Sequence, residues 1–156
     1  MQSNKVEHVS ATQIEQHRRC PKQWYFNKIV KIPRESTAAM ELGGAVHEEI
    51  EHYLKEGRNP SDTLAGEIAR SGLHLLPKQN EVYVELSIED HLPILDSPIK
   101  IVGFIDALYP KEHRILDHKT SSNKKYTKSE RELKKNVQML LYAKAYIDHA
   151  PNAAFF

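Results

Sequence analysis

The chain contains a single cysteine, Cys20, among its 156 residues. One cysteine excludes an intrachain disulfide, and this favours a reducing compartment. Long apolar runs are also missing, so the sequence predicts no transmembrane helix. The N-terminal stretch lacks the apolar core that is typical of a signal peptide. Internal repeats and low-complexity tracts are absent as well. We therefore expect a cytoplasmic protein without a membrane segment.

The overall composition is that of an ordinary globular protein, with 40% hydrophobic and 28% charged residues. The length is sufficient for one domain with a workable core, so we expect residues 1–156 to form a single domain.

The charge is unevenly distributed, although the net charge is only +1. Residues 1–35 carry a net charge of +4, residues 36–110 carry −8, and residues 111–135 carry +5. Two basic segments therefore flank an acidic middle, which suits acidic metal ligands beside a polyanionic substrate. For any single lysine, an ordinary solvated surface position remains the simpler interpretation.

Helical patterns occur at both ends and in the first half of the chain. Trp24, Tyr25 and Phe26 follow the first pattern, and we interpret them as core packing, with base stacking as the alternative. The last predicted helix, near the C-terminal end, should turn Leu133, Val137, Leu140 and Leu141 inward. The predicted helices are Ala11–Cys20 after the N-cap Ser10, Ala38–Glu56, Ser61 as N-cap to Arg70, and Ser129–His149.

Between the third and the last helix the apolar period changes to alternation, which predicts strands. The predicted strands are Val82–Ile88, Ile99–Leu108 and Arg114–Lys119, and the last two should form an antiparallel hairpin. Helices, then a run of strands, then a helix indicate an α/β, mixed α+β fold with a central mixed β-sheet flanked by helices.

The end of this hairpin carries the most informative residues. Asp117 and Lys119 are two apart on a predicted strand, so they share a face, and Asp106 ends the neighbouring strand. Two carboxylates and an ammonium form a site for Mg²⁺ or Mn²⁺ that suits phosphodiester hydrolysis. The backbone carbonyl of His118 is a further candidate ligand, with its side chain directed away. By itself, Asp-x-Lys is more typical of a surface strand with a local ion pair than of a nuclease site, and the companion residue Asp106 favours the site.

Several motifs, in order along the chain, resemble the RecB-like branch of the PD-(D/E)XK nuclease superfamily. The proteins of this branch that the chain resembles include CRISPR-associated and RecB-type exonuclease domains. The matching segments are Ser10–Phe26, Gly43–His47 as Gly-x-x-x-His, Gly103–Asp106 as Gly-x-x-Asp, Asp117–Thr120 as Asp-x-Lys-Thr, and Gln138–Tyr142 as Gln-x-x-x-Tyr. The resemblance covers nearly the whole chain and implies a restriction-endonuclease-like core.

The resemblance also implies roles for individual residues. His47, Asp106 and Asp117 would bind the metal, with Lys119 as the catalytic cation. The alternative for His47 is an ordinary histidine at a helix edge, and Glu51 could orient its ring. Further candidates for DNA contact or support of the site are Gln138, Tyr142, Glu85, Lys124 and Lys125. Gln138 could instead face solvent, and Tyr142 could be simple core packing.

Many RecB-like nucleases hold an iron–sulfur cluster with four cysteines, and Cys20 alone cannot hold one. Either the chain belongs to a cluster-free branch, or it is shortened at its C-terminus, and both explanations stay open. We expect a metal-dependent DNA nuclease, an exonuclease acting on ends or single strands in recombination, repair or phage or CRISPR-type processing. Such a nuclease would work in a bacterial, archaeal or phage-infected cell. It would be compatible with a helicase or recombination partner and with an oligomer. The alternatives are a restriction-type endonuclease, a non-catalytic DNA-binding or assembly subunit, and an RNA-processing enzyme.

Overall fold

Helices dominate both ends of the chain and strands its centre in the computed structural model, which describes residues 6–76, 79–91, 98–121, 123, 125 and 127–149. Six α-helices and a four-stranded mixed sheet occupy this part of the chain, so the predicted mixed α+β class is confirmed. The elements are β1 (His8–Val9), α1 (Ala11–Arg19), α2 (Pro21–Lys28), α3 (Ala38–Glu56), α4 (Leu64–Gly72), β2 (Tyr83–His91), β3 (Lys100–Tyr109), β4 (Arg114–Leu116), α5 (Glu130–Leu133) and α6 (Val137–His149).

Strand β3 is the central strand, between β1 and β2, and it also pairs with β4. Its pairing with β1 is parallel and its pairing with β4 is antiparallel, with Ala107 opposite Leu116. The predicted hairpin is therefore confirmed, but the strand prediction to Lys119 is wrong because β4 ends at Leu116. Beyond that point the backbone N–H of His118 donates to the Asp106 carboxylate. This bond to a side chain takes the place of a backbone hydrogen bond between the strands.

The chain divides into two compact units, and the boundaries fall inside β2 and β3. The described residues of the first unit lie within Met1–Arg34, Ser87–Phe104 and Glu130–Asn152. Those of the second unit lie within Glu35–Leu86 and Ile105–Ser129.

The core of the second unit forms where α3 packs on α4. Helix α3 has the predicted bounds, with Thr37 accepting from the Met40 N–H at one end and Gly57 in the left-handed region at the other. Its apolar stripe is buried against small residues of α4 and the end of β3. The buried residues of this core are Val46, Ile50, Leu54, Ala65, Ala69, Ala107 and Tyr109.

Helix α4 starts two residues later than predicted. Its N-cap is Thr63, whose side chain accepts from the Gly66 N–H, and not Ser61. Ser61 instead directs both its hydroxyl and its backbone N–H to the carboxylate of Glu49 on α3. Ser61 therefore links the approach to α4 with α3.

In the first unit, α1 begins with the predicted capping box between Ser10 and Gln13. It ends at Cys20, which also caps α2 by accepting from the Gln23 N–H. Helix α1 packs against both α2 and α6.

The single long helix predicted over Ser129–His149 is wrong, because two helices, α5 and α6, occupy this range. The Asn136 side chain accepts from the Met139 N–H at 3.1 Å, which caps a new helix at this point. The inward face differs too. Leu133 and Leu140 are exposed, whereas Tyr142, Ala145 and Tyr146 are buried.

The interpretation of the aromatic run after α1 as core packing is also wrong. Tyr25 is 47% exposed and Phe26 is 38% exposed, while Trp24 is half-buried against the edge of the His17 ring. Within the described residues, no helix is long and apolar enough to cross a membrane.

Candidate active site

His47 projects from the middle of α3, next to the buried Val46, so it lies at the edge of the apolar stripe. Its Nδ1 atom is 3.5 Å from Oδ2 of Asp106. The structure thus joins two residues that are 59 positions apart in the sequence. Glu51 does not take the predicted role of orienting His47, because its carboxylate pairs with Lys55 at 2.6 Å.

Asp106 lies on β3 between Ile105 and Ala107, which are both buried. Its side chain is only 12% exposed. Its Oδ2 atom accepts a hydrogen bond from the His118 backbone N–H at 2.6 Å. A carboxylate this enclosed needs charge or hydrogen-bond partners, and His47 and His118 provide them.

Asp117 and Lys119 follow β4 directly and lie side by side, as the sequence predicts. The Lys119 Nζ atom is 2.7 Å from Oδ2 of Asp117, with side-chain exposures of 64% and 9%. The pair therefore combines a nearly buried acid with a cation that reaches solvent. An ammonium in this position is available to a phosphate arriving from outside.

His118 departs from its prediction, because its ring does not turn away from the site. The ring meets that of His47 edge to face, with centroids 5.9 Å apart. The prediction assumed strand alternation, which no longer applies once β4 has ended. Burial lowers the pKa of His118, against the opposing effect of the Asp106 charge, so the imidazole is neutral near pH 7.

Glu85 on β2 also belongs electrostatically to this group. Burial, followed by the negative charges of Asp106 and Glu51, raises the pKa of its carboxyl. Its backbone has a φ of 51°, an uncommon left-handed conformation for a non-glycine residue inside a strand. Sequence alternation gave no sign of this irregularity.

Gly43, four residues before His47, has a steric role. A Cβ atom at Gly43 would lie 3.1 Å from the Thr120 hydroxyl oxygen, whereas a Cβ at Gly44 would meet nothing within 4 Å. Gly43 therefore allows the segment after β4 to approach α3 closely. Of the two adjacent glycines, only the first is required by this contact.

The donor types in this group fit a divalent cation. The two carboxylates, of Asp106 and Asp117, are donors that suit Mg²⁺ or Mn²⁺. The two imidazoles, of His47 and His118, suit softer divalent ions. The Nε2 atom of His118 is buried and has no hydrogen-bond partner among the described residues, which leaves one donor position unsatisfied. Within that same part of the chain, no three His, Cys, Asp or Glu side chains form a metal-binding group. Lys119 holds Asp117, so a metal ion would have to compete with this lysine.

Gln138 and Tyr142 lie one turn apart on α6 in the first unit, and the Gln138 amide donates to the Tyr142 hydroxyl at 2.9 Å. Both line a small cavity with the N-terminal residues of α1 and with Gly103. A Cβ at Gly103 would lie 3.2 Å from Cε1 of Tyr142. The glycine of Gly-x-x-Asp and the tyrosine of Gln-x-x-x-Tyr are thus in contact.

The two lysines predicted as DNA contacts follow the site segment. Lys125 is exposed, and its backbone N–H donates to the Asn123 side chain at 2.8 Å. Lys124 lies outside the described residues.

Comparison with known protein families gives a match over most of the chain. The family model of the PD-(D/E)XK nuclease superfamily matches residues 8–82 and 67–154. The chain belongs to this superfamily. No curated protein and no solved structure gives a significant match.

Membership in the PD-(D/E)XK superfamily implies a nuclease, and these nucleases generally use divalent metals. The fold is consistent with a restriction-endonuclease-like core. The matched residues include strand β3, which carries Asp106, and the site segment from Asp117 to Lys119.

Proposed function

We propose that this PD-(D/E)XK protein is a RecB-like deoxyribonuclease that depends on Mg²⁺ or Mn²⁺ and acts as an exonuclease on DNA ends or single strands. One observation carries the proposal. Contacts of 2.6–3.5 Å link His47 to Asp106, Asp106 to the His118 backbone, and Asp117 to Lys119 within one unit. Carboxylates that can hold a metal, with a cation beside them, suit metal-dependent phosphodiester hydrolysis, and His47 adds a nitrogen donor to this group.

A divalent metal held at this site would supply Lewis acidity and would activate a water molecule as the nucleophile. Asp106 and Asp117 would hold the metal through their carboxylates, together with His47 and the backbone carbonyl of His118. The imidazole ligand favours Mn²⁺ relative to an all-oxygen site. Lys119 stabilises the negative charge that develops on the phosphate oxygens as the water oxygen bonds to phosphorus and the ester P–O bond breaks.

The remaining residues support the substrate or the site. Glu85 lies within electrostatic reach of Asp106 and His47, so it helps to set the charge of the site. Lys124 and Lys125 belong to the basic segment that would attract the DNA backbone. Gln138 and Tyr142 are proposed to contact DNA or brace the fold.

The proposed setting follows from the RecB-like resemblance. In this proposal residues 1–156 form one nuclease domain. The domain acts in recombination, repair, or phage or CRISPR-type DNA processing. A helicase or recombinase partner and a closed oligomer are compatible with it.

The test is cleavage of end-labelled DNA, single- and double-stranded, linear and circular, with Mg²⁺, Mn²⁺ or EDTA. Lys119→Ala should lower the cleavage rate about 100-fold or more, because it removes a preorganised cation from the transition state. Arg58→Ala, at an exposed cation of the acidic middle segment, is the matched control and should cut at the wild-type rate.

Each outcome selects one function. Metal-dependent cutting of linear but not circular DNA supports the exonuclease, and cutting of circles supports the restriction-type endonuclease. Binding without cutting under either metal would replace the proposal with a DNA-binding or assembly subunit.

A further inference from the structure

A positively charged surface with exposed aromatic rings covers the end of α1, α2 and the segment that follows. Residues 16–34 contain no aspartate or glutamate. They carry six cations, of which five are exposed and Lys28 is half-buried. The cations are Arg18, Arg19, Lys22, Lys28, Lys31 and Arg34. We call this set, together with Tyr25 and Phe26, the α2 surface.

None of the six cations forms an ion pair with a residue that the structure describes. The lysines and arginines that do form such pairs lie elsewhere, at Lys55, Arg70, Lys111, Arg114, Lys119 and Lys134. Burial, and secondly the positive charge of Lys31, lowers the pKa of Lys28. The cations of the α2 surface therefore repel one another, and an anionic partner would relieve this repulsion.

The aromatic rings of the α2 surface are exposed rather than packed into a core. Tyr25 and Phe26 meet edge to face, with centroids 5.7 Å apart. Lys22 lies three and four residues before them, on the same helical face. Flat rings beside unpaired cations are the combination that binds the bases and the backbone of a single nucleic-acid strand.

The end of α2 fixes the position of one cation. Lys31 has a φ of 57°, and the Ile32 N–H donates to the Phe26 carbonyl at 3.1 Å. This bond joins residues six positions apart and closes the turn, in which Lys31 adopts the left-handed conformation that glycine takes most readily. A glycine there would be less strained. The fold therefore does not depend on a lysine side chain at this position.

We propose that the α2 surface is a docking site for single-stranded DNA, in which Tyr25 and Phe26 stack on bases while the unpaired cations follow the phosphates. Charge complementarity selects a polyanion as the occupant. The exposed aromatic rings select a strand with unstacked bases over a duplex, whose bases are already stacked. The choice of DNA as the occupant rests on the proposed nuclease function. The docking site would add a preference for single strands to that function.

The test is fluorescence anisotropy of a labelled 15-nucleotide oligo-dT strand with the full chain, in EDTA so that no cutting is needed. Tyr25→Ala and Phe26→Ala should each weaken binding about tenfold, the typical effect of losing one stacked base. Phe26→Leu should weaken binding similarly, because it keeps an apolar side chain but loses the flat ring.

Lys31→Gly separates binding from folding. It should leave the melting temperature unchanged or raised, while the slope of log affinity against log salt falls by about 0.7, the value for one phosphate contact on a single strand. The matched controls are Tyr83→Ala, an exposed aromatic on β2, and Arg58→Ala. Both should bind the strand with wild-type affinity.

Unchanged affinity in Tyr25→Ala and Phe26→Ala, with wild-type melting temperatures, would overturn the docking site even if the protein cuts DNA. Wild-type affinity in Phe26→Leu would overturn stacking, since an apolar partner surface would then suffice. Equal losses on a 15-base-pair duplex would overturn the preference for single strands. If binding shows the expected pattern but no metal supports cutting, the docking site stands and the nuclease proposal alone fails.

Discussion

Tyr109 places a phenol in the core of the second unit, and its hydroxyl is a buried group without a hydrogen-bond partner in the described part of the chain. Arg114 stacks over its ring, with the guanidinium carbon 4.7 Å from the centroid. Tyr109→Phe keeps this stacking and removes the unsatisfied hydroxyl. We expect the free energy of unfolding to rise by about 1 kcal/mol in urea titrations. Tyr83→Phe, at an exposed ring, should change it by less than about 0.5 kcal/mol.

The same phenol predicts an alkaline loss of stability. Burial raises the pKa of Tyr109 to about 12. In the unfolded chain the pKa is about 10, so above that pH the unfolded state binds fewer protons than the folded state. The contribution is complete below pH 10 and is lost as the pH rises towards 12. Urea titrations of the wild type and Tyr109→Phe should therefore diverge across this range; parallel curves would contradict the prediction.

Gly43 and Gly44 form a natural matched pair on α3. Gly43→Ala brings a methyl group to 3.1 Å from the Thr120 hydroxyl oxygen, so the Thr120 side chain, next to Lys119 in the sequence, must shift by a few tenths of an ångström. We expect cleavage to slow about 3- to 10-fold, since the shift is a fraction of the ångström that costs about 100-fold. Gly44→Ala meets open space and should instead stabilise the helix by about 1 kcal/mol. Equal activity in both variants would contradict the role of Gly43.

The position of His118 explains why part of the site escaped sequence reasoning. The two carboxylates and Lys119 were predictable because their types and order carry the chemistry. The inward His118 ring was not, because alternation holds only while the strand lasts, and β4 ends two residues earlier. Likewise, nothing in the sequence signals the left-handed backbone at Glu85.

At the scale of elements, the break between α5 and α6 depends on one side chain. Asn136 accepts from the Met139 N–H at 3.1 Å, and an alanine cannot. Asn136→Ala should lower the free energy of unfolding by about 1 kcal/mol, the usual effect of removing an N-cap. Asn59→Ala, at an exposed loop position, is the control and should leave the urea midpoint unchanged.

Helix prediction was exact for α3, where both ends carry local signals, and it missed the break between α5 and α6. Helix α3 has a threonine cap, an apolar stripe and a terminal glycine, and its bounds were predicted to the residue. The C-terminal helices lack such a glycine, and the asparagine cap inside the predicted helix was overlooked. The aromatic run of α2 is apolar enough for a core, yet the tertiary packing leaves Tyr25 and Phe26 exposed.

At the scale of the whole molecule, fold class and superfamily were accessible from sequence, because motif order and the alternation of helical and strand periods are properties of the chain. Its division into two units was not. That division depends on which segments come together in space, and local patterns contain little information about such long-range pairing.

The order of these segments has a consequence for any attempt to divide the protein. The first unit uses chain on both sides of the second, since its described parts precede Arg34 and follow Glu130, with a further piece between. Every single cut between these two residues therefore distributes the first unit over both fragments. Two separately expressed halves would have to associate before that unit could form. Activity recovered from such halves would therefore depend on their concentration, as in a bimolecular reaction.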